Sequence, residues 1–174
     1  MALILRVTYT LQVRYTPFFQ TLGLDAKFYD QWAHEIAMGQ SDEGAFFMSP
    51  LYSYFLAAIY QLFGRNPLLV RMIQAALGSA SAVLAYVIGR DVFDRKTGVL
   101  AGLLTACYGA LIFYDGSILM TPLLVFLSLL ALAAIVRADD TGRPIYYVAG
   151  GLALGLAAIG RAAALVPAAA AVLW

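Results

Sequence analysis

Long apolar runs dominate the chain, and their lengths predict several membrane-spanning helices. A helix needs about 20 predominantly apolar residues to cross a bilayer. Runs that approach or reach this length lie at 67–89, 97–113, 119–136, 145–160 and 162–174, the last two being separated by Gly160-Arg161. The pattern therefore predicts an all-α fold, a multi-pass transmembrane helical bundle.

Both ends of the chain lie within apolar sequence. Residues 1–12 lack the long apolar core and the small-residue cleavage site of a signal peptide, so we interpret them as the end of a truncated first span. The last run, 162–174, is too short to cross a bilayer. Both features indicate that the 174 residues are the N-terminal part of a larger transmembrane domain.

Basic residues in the short links predict the orientation of the spans. The links at 90–96 and 137–143 carry five Lys or Arg residues and fall on the same side of the predicted bundle. Because cytoplasmic loops are enriched in Lys and Arg, this side is predicted to be cytoplasmic. The long segment 14–66 and the short link 114–117 then face outward.

Two helices that do not span the membrane are predicted within the outer loop 14–66, at about 26–38 and 50–63. The first is amphipathic and suited to the membrane interface, with Tyr29 and Trp32 at headgroup level and Asp30 on the solvated face. The second begins with Ser49 as a helix cap and Pro50 in the first turn. It is nearly uncharged and too short to cross.

Composition agrees with this pattern and excludes several classes of protein. The chain is 63% hydrophobic and 12% charged, which excludes a disordered chain and an ordinary soluble globule. The net charge is +1, so there is no basic excess for a nucleic-acid partner. The single cysteine, Cys107, cannot form an internal disulfide, and its apolar surroundings indicate inert packing.

Several ionisable residues near the outer ends of the spans are candidates for chemistry, and each also has a purely structural interpretation. Asp25 either caps the first outer helix or serves as a functional carboxylate, and Asp115 either forms a turn or does the same. Arg71 and Arg161 either extend to the headgroups or bind a phosphate. His34 has no ligand-type neighbours, so no metal site is predicted there.

Together these groups suit a lipid-linked anionic substrate. A carboxylate at the membrane surface can act as a general base, and cations can hold a phosphate. No zinc, P-loop or hydrolase motif occurs in the sequence.

The order and spacing of several short motifs resemble a known family. They are Asp25-x-x-x-Tyr29-x-x-Trp32-Ala33, Ser49-Pro50-Leu51-Tyr52, Arg71-x-x-Gln74, Gly89-Arg90, Phe113-Tyr114-Asp115-Gly116 and Gly155-Leu156-Ala157-Ala158-x-Gly160-Arg161. This series resembles polytopic membrane glycosyltransferases of the GT-C superfamily. It is similar above all to the bacterial relatives of protein O-mannosyltransferases and of the lipid A aminoarabinose transferase.

The resemblance implies transfer of a sugar from a polyprenyl-phosphate carrier to an acceptor hydroxyl, which belongs to a glycan, a lipid or a protein. The reaction would take place on the outer side of a bacterial cytoplasmic membrane. Asp25 would be the catalytic base and Asp115 a second acidic residue, although Ser117 stands where relatives often carry a further acid. Lys27, Tyr29, Arg71 and Arg161 would contact substrate or phosphate. Some members of the superfamily use a divalent metal, but the sequence identifies no cofactor.

Two alternatives to an active transferase remain open from the sequence. One is a non-catalytic multi-pass protein, such as a transporter or a lipid-binding scaffold. The other is an inactive, truncated fragment of the transferase. A transporter would be favoured by internal repeats with broken helices, and the sequence shows no such repeat.

Overall fold

The computed structural model describes residues 1–20, 22–40, 48–164 and 166, and this part of the chain is helical without strands. Its helices are α1 (Ala2–Val13), α2 (Pro17–Gln20), α3 (Leu24–Ala37), α4 (Pro50–Phe63), α5 (Pro67–Val92), α6 (Arg95–Cys107), α7 (Gly109–Asp115), α8 (Thr121–Thr141) and α9 (Pro144–Gly160). A short 3₁₀ turn, Ala162–Ala164, follows α9. The predicted all-α membrane bundle is confirmed.

Two helices, α5 and α8, are long and apolar enough to cross a membrane; α5 contains the predicted span 67–89, and α8 covers the predicted span 119–136 from residue 121 onward. The pair α6 and α7 would form a third span if it is counted as one bent unit. Helix α9 covers the predicted span 145–160 but has only 17 residues. The predicted span 162–174 lies largely outside the described residues.

Local sequence signals explain where the long helices begin and end. The Asn66 side chain accepts hydrogen bonds from the amides of Leu68 and Leu69, and Pro67 occupies the first turn of α5. Gly142, in the left-handed conformation with φ 63°, ends α8.

The predicted span at 97–113 is not one continuous helix, because the helix breaks. Helices α6 and α7 meet at an angle of 53°. Tyr108 at the junction has an extended backbone, with ψ 108°, which interrupts the helical hydrogen bonds and leaves carbonyls at the end of α6 without helical partners. A side chain from α1 binds two of these carbonyls, as the next section describes.

Helices α3 and α4 pack against each other, and this contact corrects the predicted placement of α3. Ala33 and Tyr29 are buried, Tyr29 against α4, so Tyr29 packs inside the bundle and does not face the lipid. Asp30, predicted on the solvated face, is also buried and accepts a hydrogen bond from Tyr60. The exposed side chain of Arg65 forms an ion pair with the same carboxylate.

Small residues bring α5 and α6 close together, since they let helix backbones approach each other. A Cβ atom added at Gly98 would lie 2.7 Å from the carbonyl oxygen of Tyr86. Gly151 and Gly155 on α9 make no such close approach among the described residues, because a Cβ at either position would have no atom within 4 Å. The core joins α3 and α4 to α8 and α9 through α5.

Candidate functional site

Asp25 is the second residue of α3 and its side chain is exposed. Gly23 occupies the capping position, and no side chain caps this helix end, so the structural interpretation of Asp25 as a cap is wrong. Within the described part of the chain, its carboxylate forms no ion pair and no side-chain hydrogen bond. The group is therefore available to solvent and substrate.

Tyr29 follows Asp25 by one helical turn on the same face of α3. Its ring meets the Tyr52 ring edge-on, with centroids 5.0 Å apart. Burial raises the pKa of the Tyr29 hydroxyl, the negative charge of Asp25 raises it further, and the positive charge of Arg161 lowers it. Asp25 and Arg161 therefore both lie near enough to Tyr29 for their charges to act on its hydroxyl.

Arg161 follows the end of α9, next to the start of α4. The predicted capping bond of Ser49 is absent; its hydroxyl instead donates to the carbonyl oxygen of Ile159 at 2.7 Å. A Cβ at Gly160 would lie 3.1 Å from a methyl carbon of Leu51, so the two helix ends are in close contact. This contact places the exposed Arg161 beside α3 and α4.

Arg161 also lines a cleft of about 450 Å³ beside α8. The other lining residues are mostly apolar, with three hydroxyls among them: Thr105, Leu111, Thr121, Leu124, Val125, Ser128 and Leu129. A cleft of this size and lining with a cation at its edge matches a ligand that has an apolar part and an anionic part.

Lys27 is exposed on α3 but is not part of this group. Residues two apart on a helix do not share a face, so Lys27 points away from the face of Asp25 and Tyr29. Its predicted phosphate contact stays a prediction.

Asp115 lies elsewhere, in a buried ion pair with Arg6 of α1. The Arg6 Nε donates to Asp115 Oδ2 at 2.6 Å, and the two residues are 0% and 3% exposed. The guanidinium also donates to the carbonyls of Ala106 at 3.0 Å and Thr105 at 3.2 Å, at the break between α6 and α7. The pair packs against Gly78, near the middle of α5.

Arg71 is buried, 3% exposed, and does not extend to the membrane surface. Its Nε donates to the Gly116 carbonyl at 2.9 Å and its Nη2 to the Phe19 carbonyl at 3.1 Å, while its guanidinium covers the Phe19 ring. Within the described residues, Nη1 is buried and has no hydrogen-bond partner. Arg71 therefore joins three parts of the bundle through its other nitrogens and its ring contact.

Two groups of residues were missed by sequence reasoning. Arg6 interrupts an apolar run, and a charge in such a run is a signal for a buried partner. Asp30, Tyr60 and Arg65 come together only through the packing of α3 on α4, and no local pattern shows it.

Among the described residues no three His, Cys, Asp or Glu side chains form a group that could hold a metal ion, so the metal suggested by the resemblance has no assigned ligands.

Comparison with known proteins identifies the family. The family model for dolichyl-phosphate-mannose-protein mannosyltransferase matches residues 48–174. No curated protein and no solved structure matches the chain. Because the family model matches well over half of the residues, the chain belongs to the dolichyl-phosphate-mannose-protein mannosyltransferase family, a family of GT-C membrane glycosyltransferases.

Proposed function

We propose that this chain carries the acceptor-activating part of a transferase that moves a sugar from a polyprenyl-phosphate donor to an acceptor hydroxyl. The observation that carries the proposal is that Asp25 is exposed one helical turn before Tyr29, while Arg161 lines a cleft next to the contact of α9 with α4. One group can accept a proton, one can donate a hydrogen bond, and one can bind a phosphate. The family membership supports the same class of reaction.

Asp25 acts as the general base in this proposal. Its carboxylate takes the proton of the acceptor hydroxyl, and the acceptor oxygen then forms a bond to the anomeric carbon of the sugar. The bond between that carbon and the phosphate oxygen breaks, and the phosphate leaves with the electron pair. Arg161 stabilises the negative charge on the leaving phosphate, as a positioned cation does at a developing anion.

Tyr29 supports both steps from its buried position. Its hydroxyl is protonated at neutral pH, as in any tyrosine, and can donate a hydrogen bond to substrate. Its ring is held edge-on by the ring of Tyr52, which fixes the orientation of the side chain. The apolar cleft beside Arg161 accommodates the prenyl chain of the donor.

The proposed site faces outward from a bacterial cytoplasmic membrane in a multi-pass arrangement. The basic links carry Arg90, Arg95 and Arg137 at the opposite end of the bundle from the start of α5, where Asn66 and Pro67 lie. A cytoplasmic location of those links follows the usual distribution of positive charge.

The test replaces Asp25 with Asn in the complete protein in membranes and measures sugar transfer from a polyprenyl-phosphate donor. Loss of a general base lowers turnover by about 10²–10⁴-fold. The matched control is Asp140→Asn, an exposed aspartate at the end of α8, which should leave turnover unchanged. Normal transfer by the Asp25→Asn protein would exclude the base assignment.

A second variant tests the phosphate contact of Arg161. Arg161→Gln should raise KM for the donor about tenfold, the effect expected for a lost charge-assisted contact to phosphate. Arg143→Gln, at the far end of α9, should not change KM. If the protein were a transporter, Asp25→Asn would change the flux of the lipid-linked sugar, and no glycosylated product would form.

A further inference from the structure

The buried ion pair of Arg6 and Asp115 lies at the break between α6 and α7. A charged group at membrane depth is costly unless it is paired. Arg6 meets this condition fully, since its Nε binds Asp115 and its terminal nitrogens bind the carbonyls of Thr105 and Ala106. Those carbonyls lost their helical donors at Tyr108, so Arg6 replaces the missing hydrogen bonds of the break.

Gly78 shows that the surrounding helix is shaped for this pair. A Cβ at position 78 would lie 2.6 Å from the carboxyl carbon of Asp115 and 2.7 Å from Arg6 Nε. These distances are well inside van der Waals contact, so any larger residue would displace the ion pair. The residue after Asp115, Gly116, is similarly close to the ring of Tyr9, at 2.7 Å for an added Cβ.

The turn that follows Asp115 connects this pair to the candidate site. The carbonyl of Gly116 accepts from Arg71, and that of Ser117 accepts from Gln74 at 2.7 Å. Gln74 in turn accepts a hydrogen bond from the Tyr52 hydroxyl at 2.8 Å. The ring of Tyr52 contacts the ring of Tyr29. A series of direct contacts therefore runs from the ion pair to Tyr29, which lies one helical turn after Asp25.

We propose that Arg6 and Asp115 are positioning residues. They fix the geometry of the break between α6 and α7, and thereby place the turn at 116–117 where its carbonyl binds Gln74, which in turn binds Tyr52. Asp115 in this assignment is not a second catalytic acid. Its carboxylate is buried and already bound to Arg6, whereas Asp25 is exposed. The effect on transfer rests on the proposed function, but the structural effect does not.

The first test is a double-mutant cycle on the complete, purified protein. Arg6→Met and Asp115→Leu should each lower Tm by about 10 °C, since each leaves the partner's buried charge uncompensated. Arg6→Met combined with Asp115→Leu should recover more than half of this loss, because the buried charges disappear together. As a control, Arg137→Met removes a partly exposed partner of Asp91 and should shift Tm by no more than about 2 °C. Independent, additive losses of Tm would overturn the pairing.

The second test asks whether the pair acts through Tyr52. Arg6→Met and Tyr52→Phe should each lower kcat about tenfold, measured well below Tm, and the combined variant should lose no more than the larger single effect. If the two fold-losses in kcat multiply in the combined variant, Arg6 does not act through Tyr52, and the positioning assignment is overturned. A kcat loss in Asp115→Asn at unchanged Tm would assign Asp115 to catalysis instead. If the unaltered protein transfers no sugar, the proposed function fails, and the Tm cycle still decides the ion pair.

Discussion

Asp25 and Asp115 are both acidic residues of segments predicted to face outward, yet they have opposite surroundings. Asp25 lies on an exposed helix turn and acts electrostatically on a single tyrosine hydroxyl. Asp115 lies against the middle of α5, bound to a guanidinium that also binds two backbone carbonyls. The carboxylate of Asp25 is open to solvent, whereas that of Asp115 is bound in a contact between helices.

The difference shows how burial separates two roles that the same residue type can have. A buried carboxylate needs a fixed positive partner, and that pairing occupies its oxygens. An exposed carboxylate contributes little to stability, and its oxygens are open to the chemistry proposed for Asp25. Stability and activity should therefore respond to different substitutions in the two regions.

The largest expected loss of stability comes from adding a methyl group beside the buried pair of Arg6 and Asp115. Gly78→Ala should destabilise the protein by roughly 3–5 kcal/mol, because the new methyl group forces the ion pair apart. Gly155→Ala is the matched control, since a Cβ there meets no atom within 4 Å and alanine favours the helix by about 1 kcal/mol. Thermal unfolding of both variants measures this, and equal behaviour would contradict the close packing at Gly78.

A smaller effect is expected when two acidic residues of the same helix are compared. Asp30→Asn should cost about 2 kcal/mol, because a buried group bonded to Tyr60 and Arg65 loses its charge. Asp25→Asn should change stability by no more than about 0.5 kcal/mol. Denaturant unfolding measures both, and a large stability loss at Asp25 would mean that its role is structural.

The smallest expected effect is a decline in stability at alkaline pH. Burial, and for Tyr60 also the hydrogen bond to Asp30, raises the pKa values of Tyr52 and Tyr60 above the ordinary value. The unfolded chain then loses these protons first, near pH 10, so stability is complete below pH 10 and falls as pH rises above it. Tyr60→Phe should flatten this decline in Tm, and the same change at exposed Tyr15 should not.

The helices were largely predictable because their signals are local. Apolar runs of the right length marked α5 and α8, and the predicted run from residue 67 begins where α5 begins. Helix α4 was predicted at about 50–63, which are its observed bounds. The break at Tyr108 was not predicted, because nothing in the composition of 97–113 differs from an ordinary span.

The candidate site was only partly predictable, since contacts between distant segments have no local signal. Asp25 and Tyr29 share a helix face, which the spacing shows. The nearness of Arg161 to Tyr29 depends on the packing of α9 against α4. The partner of Asp115 lies 109 positions earlier in the chain.

The sequence by itself determined that this is an all-α membrane protein, where its long helices lie, and which residue types are available for chemistry. These properties follow from side-chain hydropathy and helix capping, which act over a few residues. Only the tertiary structure decided which carboxylate is exposed and which is paired, because charge burial depends on the helices that pack around each group.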